Sequence, residues 1–224
     1  MSESASAYAR VKADIAEKAV ACGRDPAGVT LVAVSKFHGP EGIVPVLEAG
    51  HRVFGENRVQ EAMTKWPPLK ERFPDIELHC IGPLQTNKVR DAVALFDVIE
   101  TIDRPKLARV VAEEMARIGR YPPCLIQVNT GREPQKAGVD PDHLGRFLDL
   151  CVGEYALPVK GLMCIPREGV DPTADFRFLA EQAARHHLPV VSMGMSGDYA
   201  TAIACGATHV RVGTAIFGAR PKTV

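Results

Sequence analysis

The sequence predicts an α/β fold, a single (β/α)8 barrel of the TIM type with an extra N-terminal helix, and three observations predict it. Short β-rich runs alternate with longer segments of helical period along the chain. The runs are apolar throughout rather than alternately polar, "TLVAVS" and "CLIQV" among them, which suits parallel strands covered on both faces. About eight such units in a chain of this length fit a closed barrel better than an open sheet. Strand–helix alternation itself implies parallel pairing through right-handed crossovers. An open doubly wound sheet stays as the alternative, because periodicity alone does not show closure.

Taken in order, residues 4–21 form a helix-like leader before the first strand. Strand-like runs cover residues 29–36, 52–56, 77–82, 98–101, 124–129, 159–165, 189–195 and 209–217. Helix-like segments between them cover residues 40–49, 57–70, 104–118, 140–152 and 173–186, with a shorter one at 197–204. "KWPPLKERFP" and "RYPPC" read as helix ends followed by stiff connectors, because proline lacks an N–H and restricts the residue before it. No linker rich in Pro, Gly or Ser divides the chain, so residues 1–224 read as one domain.

Composition narrows the function. Lys plus Arg is 27 and Asp plus Glu is 27, a formal net charge of zero. A strong nucleic-acid binder shows a basic excess, so no nucleic-acid partner is expected. The first ten residues lack the apolar stretch of a signal peptide. No apolar run approaches membrane-spanning length, so no membrane partner and a cytoplasmic location are expected. The six cysteines form no C-x-x-C pair and show no zinc-ligand spacing, so no metal is expected. Cys80, Cys124 and Cys164 fall inside strand-like runs and read as small core hydrophobes.

In such barrels the active site sits where strands end and βα loops begin. The first run ends in Lys36, either a solvated end residue or an amine at the barrel mouth that partial burial would make available for attack on a carbonyl. The seventh and eighth runs end in "SMGMSGDY" and "RVGTAIFG", which set Gly194, Ser196, Gly197, Gly213 and Thr214 in adjacent loops. Glycines admit close backbone approach to a ligand, and Ser196 can cap the short helix that follows. Loops after strands seven and eight are the recurrent phosphate site of this fold; the alternative is a pair of ordinary Gly turns with a routine Ser cap. Arg211, inside the eighth run, is costly there unless paired, so it has either a ligand or a carboxylate partner. Glu56 and Asn57, in "FGEN", are expected at the mouth beside Lys36. His79, in "LHCIGPLQTNK", reads as a satisfied core histidine. No Walker loop, G-x-G-x-x-G, G-x-S-x-G or H-E-x-x-H occurs.

These residues sit in stretches that together resemble the pyridoxal-phosphate homeostasis protein family, whose barrel is similar to the N-terminal domain of alanine racemase. The stretches are "AVSK", "FGENRVQE", "IGPLQTNK", the Asn129, Glu133, Lys136, Gly138 set, "GLM", "SMGMSGD" and "VRVGTAIFGAR". The resemblance implies pyridoxal 5'-phosphate (PLP) held on Lys36 as an internal aldimine. It implies phosphate contacts from Ser196, Gly213 and Thr214, with Arg211 near the pyridine nitrogen and Asn57 near the lysine end. Phe37 and His38, Leu78 and Cys80, and "CIPREG" depart from the family's usual pattern.

An arginine only donates hydrogen bonds, so at the pyridine nitrogen it would keep the ring unprotonated and a weaker electron sink. Alanine racemases share this arginine but add a second domain, for which a chain ending at Val224 leaves no room. The expectation is therefore a carrier that buffers PLP or delivers it to PLP-dependent apoenzymes, without dedicated catalysis; the resemblance implies a monomer. The alternatives are a small PLP-dependent, racemase-like enzyme and a Schiff-base lyase acting on a sugar phosphate.

Overall fold

The computed structural model describes residues 2–219; Arg220, where the last quoted motif ends, and the terminal Val224 lie outside them. Parallel strands pair in chain order and close into a barrel: β1 (Thr30–Val34), β2 (Val53–Glu56), β3 (Glu77–Cys80), β4 (Val98–Ile102), β5 (Cys124–Val128), β6 (Val159–Cys164), β7 (Val190–Ser192) and β8 (His209–Val212). Closure is made by β8 against β1, with Val32 opposite Arg211 and Ala33 opposite Val212. The predicted barrel holds, and the open sheet is excluded.

The helices are α1 (Glu3–Ala21), α2 (Pro40–Glu48), α3 (Val59–Arg72), α4 (Val89–Leu95), α5 (Pro105–Ile118), α6 (Leu144–Asp149), α7 (Thr173–Arg185), α8 (Tyr199–Ala204) and α9 (Thr214–Phe217). In α1, Tyr8, Val11, Ile15 and Ala19 recur at helical spacing and are buried. That face packs against α2, α8 and α9, and the helix is capped by the Ser2 side chain, which accepts from the Ala5 amide at 3.2 Å. Phe54 of β2 and Trp66 of α3 are fully buried with ring centroids 5.0 Å apart. Burial of an apolar side chain of the Leu or Phe kind contributes about 1.5–3 kcal/mol.

Several boundaries differ from expectation, each for a local reason. Pro67 and Pro68 lie inside α3 rather than at its end. Trp66 and Leu69 are buried on its inner face, and that packing overrides the proline penalty of about 3 kcal/mol. "RYPPC" is a connector as expected, after Gly119 closes α5 in the left-handed conformation at φ 69°. The sequence reading passed over α4, two turns behind a 3-10 turn at Thr86–Lys88, because so short an apolar pattern carries little periodicity. The segment predicted as one helix over 140–152 is three joined pieces: a 3-10 turn (Pro141–His143), α6, and a π turn (Leu150–Glu154). The eighth run ends at Val212, and "TAIF" is the one-turn helix α9 rather than strand.

Candidate functional site

Six residues singled out from the sequence line one cavity of about 340 Å³ beyond the C-terminal ends of the strands: Lys36, Asn57, Ser196, Arg211, Gly213 and Thr214. Four different βα junctions and one strand interior deliver them. A larger groove of about 820 Å³ lies outside the barrel beside α5 and α6, lined by Asp103, His143 and Arg146 among others, and includes none of the six.

Lys36 stands beyond the strand rather than on it. β1 ends at Val34, the Ser35 amide still donates to Gly55 O at 3.1 Å, and the chain then turns through Lys36 and Phe37. Phe37 holds φ at 70°, a left-handed conformation that a bulky side chain rarely adopts. Hydrogen bonds hold the turn in place. The Ser35 hydroxyl donates to Glu56 Oε1 at 2.7 Å, and the Phe37 amide donates to Glu61 Oε1 at 2.6 Å. The buried Lys65 ammonium donates to Ser35 O and to His38 O, both at 3.0 Å. It also pairs with Glu56 at 2.6 Å and Glu61 at 3.0 Å. Lys36 itself is exposed. The expected partial burial is not found, because the turn lifts the residue out of the barrel wall.

Glu56 does not face the mouth as expected. It is fully buried on the outer side of β2, where Trp66 Nε1 donates to it at 3.1 Å alongside Ser35 and Lys65. Burial pushes its carboxyl pKa up, against the pull of Lys65. Asn57, one residue on, does reach the cavity. Its backbone is pinned by Gly82: a Cβ on Gly82 would sit 2.1 Å from the Asn57 carbonyl oxygen, so only glycine allows this approach.

After β7 the chain passes through Gly194 at φ 89°, tied to β8 by the Arg211 amide donating to Gly194 O at 2.9 Å. Ser196 does not cap the next helix. Asp198 occupies the cap position of α8 and its carboxylate accepts from the Met195 amide at 2.6 Å. Among the described residues, the amides of Ser196 and Gly197 donate to no acceptor. Thr214 opens α9; the Ile216 and Phe217 amides donate to Gly213 O at 2.8 and 2.9 Å, while among the described residues those of Thr214 and Ala215 donate to no acceptor. Two loops thus present amide donors and two hydroxyls, Ser196 and Thr214, around one side of the cavity.

Arg211 is buried, 4% exposed, with Nη1 donating to Ser192 Oγ at 2.7 Å and Nη2 to Cys164 O at 2.7 Å. The carboxylate partner expected for it exists at one remove, since Ser192 Oγ donates in turn to Glu100 Oε2 at 2.5 Å. His79 is a satisfied core histidine as expected, bonded to Glu100 at 2.6 Å and Glu77 at 2.7 Å. Cys80, Cys124 and Cys164 are buried in strands, and burial pushes the Cys80 and Cys164 thiols up to about 12. In the Asn129 motif, the Asn129 side chain clasps the Glu133 backbone, donating at 2.8 Å and accepting at 3.1 Å. Lys136 pairs with Glu133 at 2.6 Å. This set folds its own loop and does not line the mouth cavity.

Sequence reasoning missed Glu61, Lys65, Glu100 and Ser192. Glu61 lies inside the quoted "FGENRVQE". The other signal was polarity where the pattern demanded apolar residues: Glu100 in "VIETI", Ser192 in "VVS", and Lys65 on the inner face of a helix.

The fold and mouth together define a barrel of the alanine racemase class, and residues 12–221 match the family model described as alanine racemase, N-terminal domain. The pyridoxal phosphate homeostasis protein of Vibrio cholerae serotype O1 is 44% identical over 211 residues, covering 89% of each chain. The solved structure of PipY from Synechococcus elongatus without PLP superposes with a TM-score of 0.81 at 39% identity, covering 91% of this chain and 100% of that one. The same protein with PLP bound gives a TM-score of 0.78. The chain belongs to the pyridoxal phosphate homeostasis protein family. Alanine racemase from Corynebacterium glutamicum shares the fold, with a TM-score of 0.68 at 22% identity over 94% of this chain and 60% of its own.

Proposed function

We propose that this chain binds PLP at the barrel mouth and serves as its carrier, buffering or delivering the cofactor without dedicated catalysis. When bound, PLP supplies an aldehyde that condenses with a primary amine and releases water. Lys36 presents that amine from a turn fixed on both sides. Ser196, Gly213 and Thr214 meet the phosphate with hydroxyl and amide donors, Arg211 faces the pyridine nitrogen, and Asn57 lies near the lysine end. The observation that carries the reading is the gathering of all six residues on one cavity. The fit is supported by polar groups that await a partner: Asn57 Oδ1 is buried with no hydrogen-bond partner, and the Ser196 and Gly197 amides donate to nothing among the described residues. Leaving the buried Asn57 oxygen unpaired costs about 1–3 kcal/mol, which a ligand hydroxyl donating to it relieves, while the amides of half-buried Ser196 and exposed Gly197 can donate to phosphate oxygens.

The whole chain acts as one cofactor-binding unit in this reading, a monomer in the cytoplasm with PLP-dependent apoenzymes as recipients. The free cysteines among the described residues support a reducing compartment. No helix among the described residues is long and apolar enough to cross a membrane. The deciding experiment is the visible spectrum of the purified protein before and after borohydride reduction, with peptide mapping. A yellow protein whose label maps to Lys36 supports the reading, and a protein that stays colourless with added PLP overturns it.

One observation favours a racemase-like second reading. His38 lines the same cavity as Lys36, its pKa lowered by burial and by Lys65, so a neutral imidazole stands at the mouth. Exchange of α-deuterium into amino acids in heavy water, lost in Lys36→Ala and in His38→Asn, would establish that reading; no exchange would leave the carrier.

A further inference from the structure

Inside the barrel, four strands contribute side chains to one hydrogen-bonded chain along its axis. Arg211 of β8 donates to Ser192 Oγ of β7 at 2.7 Å, and Ser192 donates to Glu100 Oε2 of β4 at 2.5 Å. Glu100 Oε1 meets His79 Nδ1 of β3 at 2.6 Å, and His79 Nε2 meets Glu77 Oε1 at 2.7 Å. Glu100 is fully buried, Ser192 likewise, and His79 nearly so. One end of the chain lines the mouth cavity through Arg211. The other opens on a cavity of about 360 Å³ at the opposite end of the barrel, lined by Glu77, His79, Lys160 and His209 among others.

The direction of every bond is forced. A carboxylate only accepts, and a guanidinium only donates. Ser192 has one hydroxyl proton, which goes to Glu100, so its lone pair takes Arg211. Both ring nitrogens of His79 face carboxylate oxygens, so the ring carries both protons and is a cation. Formal charges alternate along the chain: positive at Arg211, negative at Glu100, positive at His79, negative at Glu77. A lone buried carboxylate is too costly to persist; here it lies between two cations and each oxygen accepts a bond.

We propose that Glu100, acting through Ser192, is the positioning residue that fixes the Arg211 guanidinium at the cofactor's ring nitrogen, with His79 as the cation that balances Glu100. The inference rests on the reading that Arg211 faces that nitrogen. Two of the five guanidinium N–H groups are committed, one to Ser192 and one to Cys164 O. The guanidinium plane is thereby set before any ligand arrives, and the remaining donors keep one orientation. None of the relay residues behind Arg211 lines the mouth cavity, so they act on a ligand there only through it.

The test uses the full chain loaded with PLP labelled with 15N in the ring. The ring 15N chemical shift and the visible band are compared in the wild type, Arg211→Gln, Ser192→Ala and Glu100→Gln, with borohydride mapping of the Lys36 adduct as the control for covalent capture. Ser192→Ala and Glu100→Gln are expected to move the ring 15N signal in the same direction as Arg211→Gln, with Lys36 still labelled. Affinity should fall up to about tenfold, the worth of one hydrogen bond. A ring signal that moves in Arg211→Gln but stays at the wild-type position in Ser192→Ala overturns the proposal and leaves the Arg211 reading intact. A signal unmoved in Arg211→Gln overturns that reading and the proposal with it. Should Glu100→Gln not fold, Ser192→Ala, which removes a single oxygen, still decides. The guanidinium 15N resonances of Arg211 in unloaded wild type and Ser192→Ala give a readout independent of the cofactor: slowed side-chain rotation in the wild type, released in the variant, supports the proposal, and equal rotation in both overturns it.

Discussion

Lys36 and Thr214 follow the paired strands β1 and β8 at the mouth, and their substitutions separate covalent capture from phosphate grip. Lys36→Ala removes the amine but leaves the loops after β7 and β8, so PLP binding should weaken without vanishing; a binding titration with no detectable complex would show the loops to be weaker than argued. Thr214→Val keeps the amine and removes one hydroxyl from a charged ligand. A charge-assisted hydrogen bond contributes about 1.5–3 kcal/mol, so the off-rate should rise about tenfold or more with Lys36 still labelled by borohydride. An unchanged off-rate would take Thr214 out of the phosphate contacts. Five of the six mouth residues were legible in sequence because each lies past a strand end, where this fold places its sites; the sixth, Arg211, was legible as a charge inside a strand. Glu56 was misplaced because strand alternation next to a turn decides between mouth and helix layer, and a single-residue shift reverses the answer. Lys65 and Glu100 were illegible because the buried carboxylate Glu56, 9 residues from Lys65, and His79, 21 residues from Glu100, meet them only through the fold; the Glu61–Lys65 spacing alone reads as an ordinary solvent-side helix pair.

At the scale of elements, α3 is the part that holds the turn carrying Lys36. Its inner face carries Lys65 and Glu61 to the backbone of Ser35, Phe37 and His38, while Trp66 anchors the helix on Phe54. Lys65→Met keeps the length and apolar stem but leaves the buried Glu56 without its cation. Breaking a buried pair in this way costs about 3–5 kcal/mol, and urea unfolding should show a loss of that order. Hydrogen exchange should rise at Phe37, whose amide is held by Glu61. A loss below about 1 kcal/mol with unchanged exchange would mean that Glu56 takes up a proton at little cost, for which its raised pKa already gives a route. The strands and long helices were readable from period alone. The short α4, the π turn after α6 and the prolines within α3 were not, since in each case tertiary burial sets the conformation against or without a local preference.

For the whole molecule, two buried histidines of opposite character bracket the pH range of greatest stability. His51 is packed between Tyr8 and Phe54, at ring distances of 4.9 and 5.1 Å, and its Nε2–H donates to Val53 O at 2.7 Å. Burial outweighs that bond and lowers its pKa to about 4. The unfolded chain therefore binds a proton between pH 6.5 and 4 that the fold refuses, and stability falls as pH drops through this window, by about 1.4 kcal/mol per unit for one proton. His79 behaves in the opposite sense. Burial opposes its charge, but the hydrogen bonds and charges of Glu100 and Glu77 prevail and raise it to about 9. His209, Arg211 and Lys160, the other charged or titratable groups toward it, do not reverse that balance. Here the fold holds a proton that the unfolded chain releases above its ordinary value of 6.5, so stability is full below that value and is lost as pH rises toward 9. Urea unfolding across pH should thus show a maximum near neutrality with two limbs. His51→Phe, which keeps the ring packing, should remove about one proton from the acid limb and leave the alkaline limb unchanged. An alkaline limb that is absent in the wild type would mean that His79 is neutral, that one of its nitrogens faces a carboxylate without a proton, and that the charge alternation reaching Arg211 does not exist. The stability profile and the cofactor's ring signal therefore report on the same axis of the barrel from its two ends.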